Sequence, residues 1–274
     1  MQMIDGTVIP ALGFGTWTLK DDQCSELVEQ ALAAGYRYID TAAKYDNEEA
    51  VGAGLRASSV AREDMFVATK VWWTDLAAAD FERSAEASLR RLGLDHVDLL
   101  LIHWPNPKIA MKETVEALNR VHDRGLTRHI GLANFTTALM AEAVALSDAP
   151  LICNQVEYHP YLDQEKVLAA CRAAGMAMVS YCPIYRGGPL FEEPAVLQAA
   201  ARHGRTPAQI VLRWHVQQKG IGAIPRTTRR ERLAENIAIF DFALSEAEMD
   251  EIGALRARNR RICDYDFSPD WDRP

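Results

Sequence analysis

Apolar and polar positions along this chain alternate in two rhythms. Short apolar runs at residues 11–15, 36–40, 65–69, 97–102, 129–133, 152–156, 177–181 and 222–224 read as buried strands. Between them lie longer stretches whose apolar residues recur at helical spacing, at 21–34, 48–56, 78–91, 112–124, 137–146, 164–174, 194–203, 206–217 and 230–237. The punctuation agrees with the rhythm. Asp21 or Asp22 is placed to cap the first helix and Gly35 to stop it, while Thr206-Pro207 offers an N-cap followed by proline at the first helical position. Ser245 through Glu248 opens one more helix with its own capping residues. Residues 4–9 read as an N-terminal hairpin turning at Asp5-Gly6, and the tail from Asn259 is irregular, with Tyr265, Phe267 and Trp271 as anchors.

Eight strand–helix units in unbroken alternation predict a parallel sheet covered by helices, and eight is the number that closes a (β/α)8 TIM barrel. No Gly/Ser-rich linker or shift in composition marks a second domain, so residues 1–274 are read as one barrel with a hairpin before it and a helix and tail after it. An open doubly wound sheet competes, but its GxGxxG fingerprint fails here: Gly13 and Gly15 are followed by Thr18.

Composition narrows the function. With 49% hydrophobic and 25% charged residues the chain is an ordinary globular one. A formal charge of -8 argues against nucleic-acid or membrane-surface partners, which require positive fields. No apolar run is long enough to span a bilayer, and no basic-then-apolar leader opens the chain, so a cytoplasmic protein is expected. The five cysteines (Cys24, Cys153, Cys171, Cys182 and Cys263) form no CxxC pair and the histidines no HxxxH pair, so thiols in a reducing compartment and no metal are expected.

Candidate chemistry sits at strand ends. Asp40, Lys70 and His103 each close a different apolar run, and Tyr45 follows Asp40 in a polar loop. Alone, such an aspartate is often a helix cap, such a lysine a solvated edge and such a histidine a core residue. In a parallel barrel, however, all four converge at one rim. Together they suit protonation of an oxygen on which negative charge develops. An ammonium near the phenol should lower its pKa, a carboxylate should hold the ammonium, and a neutral imidazole should orient the carbonyl. Near the other end of the chain, residues 225–232 gather four arginines at a helix start in an acidic protein, which suits a phosphate group.

At this point the chain resembles the aldo-keto reductases, and among them the bacterial 2,5-diketo-D-gluconate reductase type. The stretch Gly35-Tyr36-Arg37-Tyr38-Ile39-Asp40-Thr41-Ala42 with Tyr45, Asn47 and Glu48 is similar to the family's first signature. His103-Trp104-Pro105, residues 131–135, residues 154–160 and residues 224–236 are similar to the later ones, in the same order and over nearly the whole chain. The resemblance implies reversible hydride transfer between NADPH and a small-molecule carbonyl, with Tyr45 as general acid, Lys70 and Asp40 tuning it, and His103 orienting the carbonyl. It implies nicotinamide contacts from Asn134, Gln155 and Tyr181, further cofactor contacts from Gly15, Thr16, Trp17, Pro183 and Thr228, and an adenosine end held by Arg226, Thr227, Arg232, Glu235 and Asn236. It also implies a monomer. Two departures stand out: Ala133 replaces a common serine, loosening the carboxamide grip, and Arg226 replaces a common lysine.

Trp17, Trp73 and Trp104, with Trp72, follow strands on the same rim and are expected to wall the substrate. The link from Pro105 to the next helix is short, which predicts an open pocket for bulky ketones or sugar-derived carbonyls as well as small aldehydes, unless the tail at residues 265–271 closes over the rim. Two other functions remain open: a Schiff-base aldolase using Lys70, and a non-catalytic NADPH-bound regulatory module.

Overall fold

The structure is a computed structural model and describes residues 2–273. Eight strands, β1 (Gly13–Gly15), β2 (Tyr38–Asp40), β3 (Phe66–Val71), β4 (Val97–Ile102), β5 (Thr127–Ala133), β6 (Leu151–Glu157), β7 (Ala177–Tyr181) and β8 (Ile221–Ala223), pair in parallel in sequence order. The ring is closed by a bridge between Leu12 and Ala223 and by Gly15 N–H donating to Pro225 O at 3.0 Å. The outer layer comprises α1 (Asp21–Ala33), α2 (Glu48–Ala57), α3 (Ala78–Leu92), α4 (Met111–Asp123), α5 (Thr137–Leu146), α6 (Glu165–Ala173), α7 (Pro194–His203), α8 (Pro207–Gln217) and α9 (Glu231–Ile237). One further helix, α10 (Glu246–Gly253), precedes the tail. This is the expected (β/α)8 barrel.

Buried apolar strands force this arrangement. In β4, all six residues of Val-Asp-Leu-Leu-Leu-Ile are buried, which only a strand covered on both faces allows. Even its Asp98 is accounted for, accepting from Val67 N–H and pairing with Arg62 and Arg128. The N-terminal segment is a minimal hairpin, one antiparallel bridge between Met3 and Pro10 around Asp5-Gly6. It caps the bottom of the barrel, because Ile4 packs where Gly222 leaves no side chain: a Cβ there would lie 2.5 Å from Ile4 Cδ1.

The expected capping boxes form at Thr206 and Ser245. The first helix differs from expectation. Its N-cap is Lys20, and Asp21 adopts a left-handed φ of 47°, so neither aspartate caps it. Lys20 is held instead by its ammonium, which donates to the carbonyls of Tyr45 and Asp46.

Asn47 and Glu48, which begin α2 as expected, also fasten the rim. Asn47 Nδ2 donates to Thr16 O and Leu19 O, while its Oδ1 accepts from Thr41, so the loops after β1 and β2 share one side chain. Buried Glu48 accepts from Thr69 Oγ1 and from Arg91, tying α2 to β3 and α3. No helix among the described residues is long and apolar enough to cross a membrane.

Candidate active site

The carboxyl ends of the strands surround a cavity of about 530 Å³. Asp40 is the last residue of β2, Lys70 lies inside β3 one residue from its end, and His103 directly follows β4. The backbone ladder therefore delivers three side chains from three neighbouring strands to one place, and the turn after β2 adds Tyr45.

Lys70 is fully buried. Its Nζ donates to Asp40 Oδ1 at 2.6 Å and to Thr41 O at 2.8 Å. Asp40 also accepts from Tyr38 Oη at 3.1 Å and from Gln155 Nε2 at 2.8 Å, so each of its oxygens meets a donor. Above this pair, the Lys70 ammonium stands 5.0 Å from the centre of the Tyr45 ring. The Tyr45 and His103 rings meet edge to face at 5.6 Å, and both side chains line the cavity.

Burial lowers the pKa of Lys70, with Asp40 opposing the shift. Burial, and then the Lys70 charge, hold His103 well below the ordinary histidine value, so its ring is neutral. Tyr45 departs from the expected direction. Burial and the Asp40 carboxylate push its phenol well above the usual value rather than below it. The reason is physical: burial costs the phenolate its hydration, and the nearby Asp40 carboxylate repels it. Tyr45 is therefore a retained proton, not a pre-formed phenolate.

The expected cofactor residues fall into three groups. Gly15, Thr16, Trp17, Asn134, Gln155, Tyr181 and Pro183 line the same cavity as Tyr45, and so do Arg226, Thr227, Thr228 and Arg232 from the segment after β8. Asn134 Nδ2 donates to His103 O and its Oδ1 accepts from Tyr181 Oη, so the two nicotinamide candidates are already linked. Glu235 and Asn236 lie off the cavity. Glu235 accepts from Thr206 Oγ1 at the start of α8, and Asn236 is buried. Among the described residues neither Arg226 nor Arg232 pairs with a carboxylate. Two exposed guanidiniums in the cavity lining, neither paired with a carboxylate, fit a nucleotide phosphate.

Two expectations for the substrate end change. Trp17 and Trp104 line the cavity, but Trp73 does not. It stacks on Phe267 at 5.0 Å and faces a neighbouring depression formed by the 105–111 link and the tail. The tail itself lies across the rim. Phe267 meets Trp72 at 5.6 Å and Trp104 at 5.4 Å, and Tyr265 meets Trp104 at 5.8 Å. The short link after β4 leaves room, and the tail aromatics take it. Their pocket side is walled by Trp72, Trp104, Tyr265 and Phe267.

Sequence reasoning missed what holds the tail there. Glu157, the last residue of β6, accepts from Ile262 N–H at 2.6 Å, Cys263 N–H at 2.7 Å and His159 Nε2 at 2.9 Å. Burial alone would raise its pKa, but these donors hold it below the usual value. A carboxylate ending a strand was the available signal, and it points at the tail rather than at the substrate.

The comparisons with known proteins agree with this geometry. Residues 11–257 match the family model described as Aldo/keto reductase family. Methylglyoxal reductase DkgB of Salmonella typhimurium is 40% identical over 267 residues, covering 96% of this chain and 99% of that one. Glyoxal reductase of Bacillus subtilis is 38% identical over 95% of this chain and 94% of its own. Among solved structures, one provisionally described as 2,5-diketo-D-gluconic acid reductase B superimposes with a TM-score of 0.96 at 44% identity, covering 100% of this chain and 98% of that one. A Bombyx mori aldo-keto reductase in complex with NADP does so with a TM-score of 0.90 at 34% identity, over 99% of this chain and 96% of its own.

Proposed function

This chain belongs to the aldo/keto reductase family, and from that premise we propose that it reduces aldehydes, dicarbonyls and sugar-derived ketones to alcohols with NADPH, using Tyr45 as the proton donor. Membership makes it an NADP-dependent oxidoreductase acting on carbonyls. The observation that carries the finer reading is the placement of Tyr45 beside His103 in one cavity, above the buried Lys70–Asp40 pair.

NADPH supplies the hydride when bound; the side chains do the rest. Neutral His103 donates to the carbonyl oxygen and fixes its orientation. As negative charge develops on that oxygen, the phenolic proton of Tyr45 moves to it. The phenolate left behind is stabilised by the Lys70 ammonium, which Asp40 keeps charged and in place. Asn134, Gln155 and Tyr181 would hold the nicotinamide end, and Arg226, Thr227 and Arg232 the phosphate of the adenosine end. Thr16 supports the first strand turn by donating from Oγ1 to Asp40 O at 2.9 Å.

The tail aromatics favour compact carbonyls over bulky ketones, in keeping with the dicarbonyl reductases among the relatives. A Schiff-base role for Lys70 is disfavoured, because its amine is fully buried beneath the cavity and held by two acceptors. A monomeric, cytoplasmic enzyme belongs to the same proposal, and its five unpaired cysteines suit a reducing compartment.

The test is NADPH oxidation with a panel of small aldehydes, dicarbonyls, sugars and bulky ketones, run beside Tyr45→Phe. Expected is a fall in kcat of about 10²–10⁴ in the variant with NADPH affinity kept. NADPH binding without turnover by the wild type would favour the regulatory module. Bulky ketones turning over as well as methylglyoxal would restore the open pocket.

A further inference from the structure

The cavity is cationic in an acidic chain. The formal charge is -8, yet the cavity lining holds Lys44, Arg186, Arg226 and Arg232 against a single carboxylate, Asp40. That carboxylate is already matched by Lys70. Among the described residues none of the four cations pairs with an acid. Arg226 and Arg232 suit the nucleotide phosphate, which leaves Lys44 and Arg186 without a partner.

Of these two, Lys44 stands beside the reacting groups. It precedes Tyr45 in the single turn after β2, Ala43–Tyr45. Its ammonium lies 5.2 Å from the centre of the Trp72 ring, and that ring meets His103 edge to face at 5.0 Å. One indole therefore borders both the ammonium and the imidazole that orients the carbonyl. Arg186, by contrast, stands over Trp17, at 5.6 Å.

The turn carrying Lys44 is held from outside. Lys20 donates to the carbonyls of Tyr45 and Asp46 at 2.7 and 2.9 Å and pairs with the Asp46 carboxylate at 3.4 Å. The acid nearest to Lys44 in the sequence is thereby taken by another cation, and Lys44 keeps its charge for the cavity. Trp72 supplies the rest. An ammonium over an indole face is attracted by the ring quadrupole, which holds this exposed side chain at the rim.

We propose that Lys44 determines specificity: its ammonium binds the carboxylate of a short carbonyl acid while Tyr45 and His103 hold the carbonyl at the other end. Resting on the carbonyl-reductase reading, this narrows the favoured substrates to anionic ones. A single ammonium matches the one charge of a carboxylate better than the charge of a phosphate ester, about −1.5 to −2. Only one indole lies between the two groups, so the carboxylate sits a few bonds from the carbonyl. Trp72 and Phe267, themselves in contact at 5.6 Å, cover the apolar chain that joins them.

The experiment compares succinic semialdehyde with its methyl ester, two similar aldehydes that differ by one charge, at saturating NADPH. The wild type should favour the acid in kcat/KM, mainly through a lower KM. In Lys44→Met the acid-to-ester ratio should fall by about tenfold, the low end for a hydrogen bond to a charged group. Lys44→Arg should restore most of it. Added KCl should shrink the wild-type ratio and spare that of Lys44→Met. Both substrates meet the same cofactor, so any change in NADPH grip cancels in the ratio. With NADP bound no hydride is available, and titrating the same pair against that complex by tryptophan fluorescence reads the preference without turnover. A wild-type ratio near one, or a ratio unmoved in Lys44→Met, would overturn the role of Lys44 and leave the reductase standing. No turnover of either aldehyde, with a Lys44-dependent preference in binding, would count against the reductase and keep the anion site. A larger Lys44-dependent preference for glyceraldehyde phosphate over glyceraldehyde would refute the choice of carboxylate.

Discussion

Burying an ammonium is costly unless its charge is matched, and Lys70 is matched on one side by Asp40 and on the other by Thr41 O. The same match positions the charge beneath Tyr45, so one ion pair serves both stability and catalysis. The two roles separate by mutation. Lys70→Met leaves Asp40 a buried carboxylate without its cation and should destabilise the fold by about 3–5 kcal/mol. Adding Asp40→Asn to it should restore much of that loss, because neither partner is then charged. Both variants should lack turnover. Urea unfolding with NADPH oxidation tests this, and equal stability of the single and double variants would show that the pair carries no mutual dependence. Residue types at strand ends made Asp40, Tyr45, Lys70 and His103 readable in the sequence. The direction of the Tyr45 shift was not readable, since it depends on how deeply the phenol is buried and how near the Asp40 carboxylate lies.

Elements were legible where their pattern repeats and illegible where one contact decides. Alternating apolar runs gave all eight strands, and Thr206 and Ser245 announced their helices. Asp21 sounded like a cap, yet Lys20 takes that position because its side chain is drawn to the Tyr45 and Asp46 carbonyls across the rim. Within the helix expected at 48–56, a Cβ on Gly52 would lie 2.2 Å from Leu92 O, so this glycine sets how closely α2 meets the end of α3. The tail is the largest case: its aromatics were visible, but its anchor was a carboxylate on a distant strand. Glu157→Gln turns one of the two accepting oxygens into an NH2, which then faces the N–H of either Ile262 or Cys263. It should cost about 1.5–3 kcal/mol, the range for hydrogen bonds to a charged group. Limited proteolysis should then cut within residues 259–273 faster than in the wild type, and turnover of bulky ketones should rise relative to methylglyoxal. An intact tail with the wild-type substrate profile would show that the Phe267 contacts suffice without Glu157.

For the whole molecule, the same rim that gathers the chemistry also makes the fold sensitive to acid. His215 on α8 is fully buried and its Nε2–H donates to Pro183 O at 2.9 Å, so a helix from the outer layer supports the loop after β7. Burial lowers its pKa to about 3, and burial with the Lys70 charge lowers that of His103 well below the ordinary value. The sign follows from proton counting. Above the unfolded value near 6.5 both rings are neutral in both states and contribute nothing to the pH dependence. As pH falls below about 6.5 the unfolded chain takes up protons that the folded chain does not, so stability declines by about 1.4 kcal/mol per pH unit for each histidine. For His215 the decline continues until pH approaches its folded value of about 3. His215→Gln keeps a donor for Pro183 O and removes the titration. Urea unfolding between pH 7.5 and 4.5 should therefore give the variant a shallower slope by about 1.4 kcal/mol per pH unit, so that it gains on the wild type as pH falls. Parallel slopes would mean that His215 protonates in the folded chain. Because Pro183 borders Tyr181 and Cys182 in the cavity wall, acid should weaken NADPH binding before global unfolding, and by less in the variant than in the wild type.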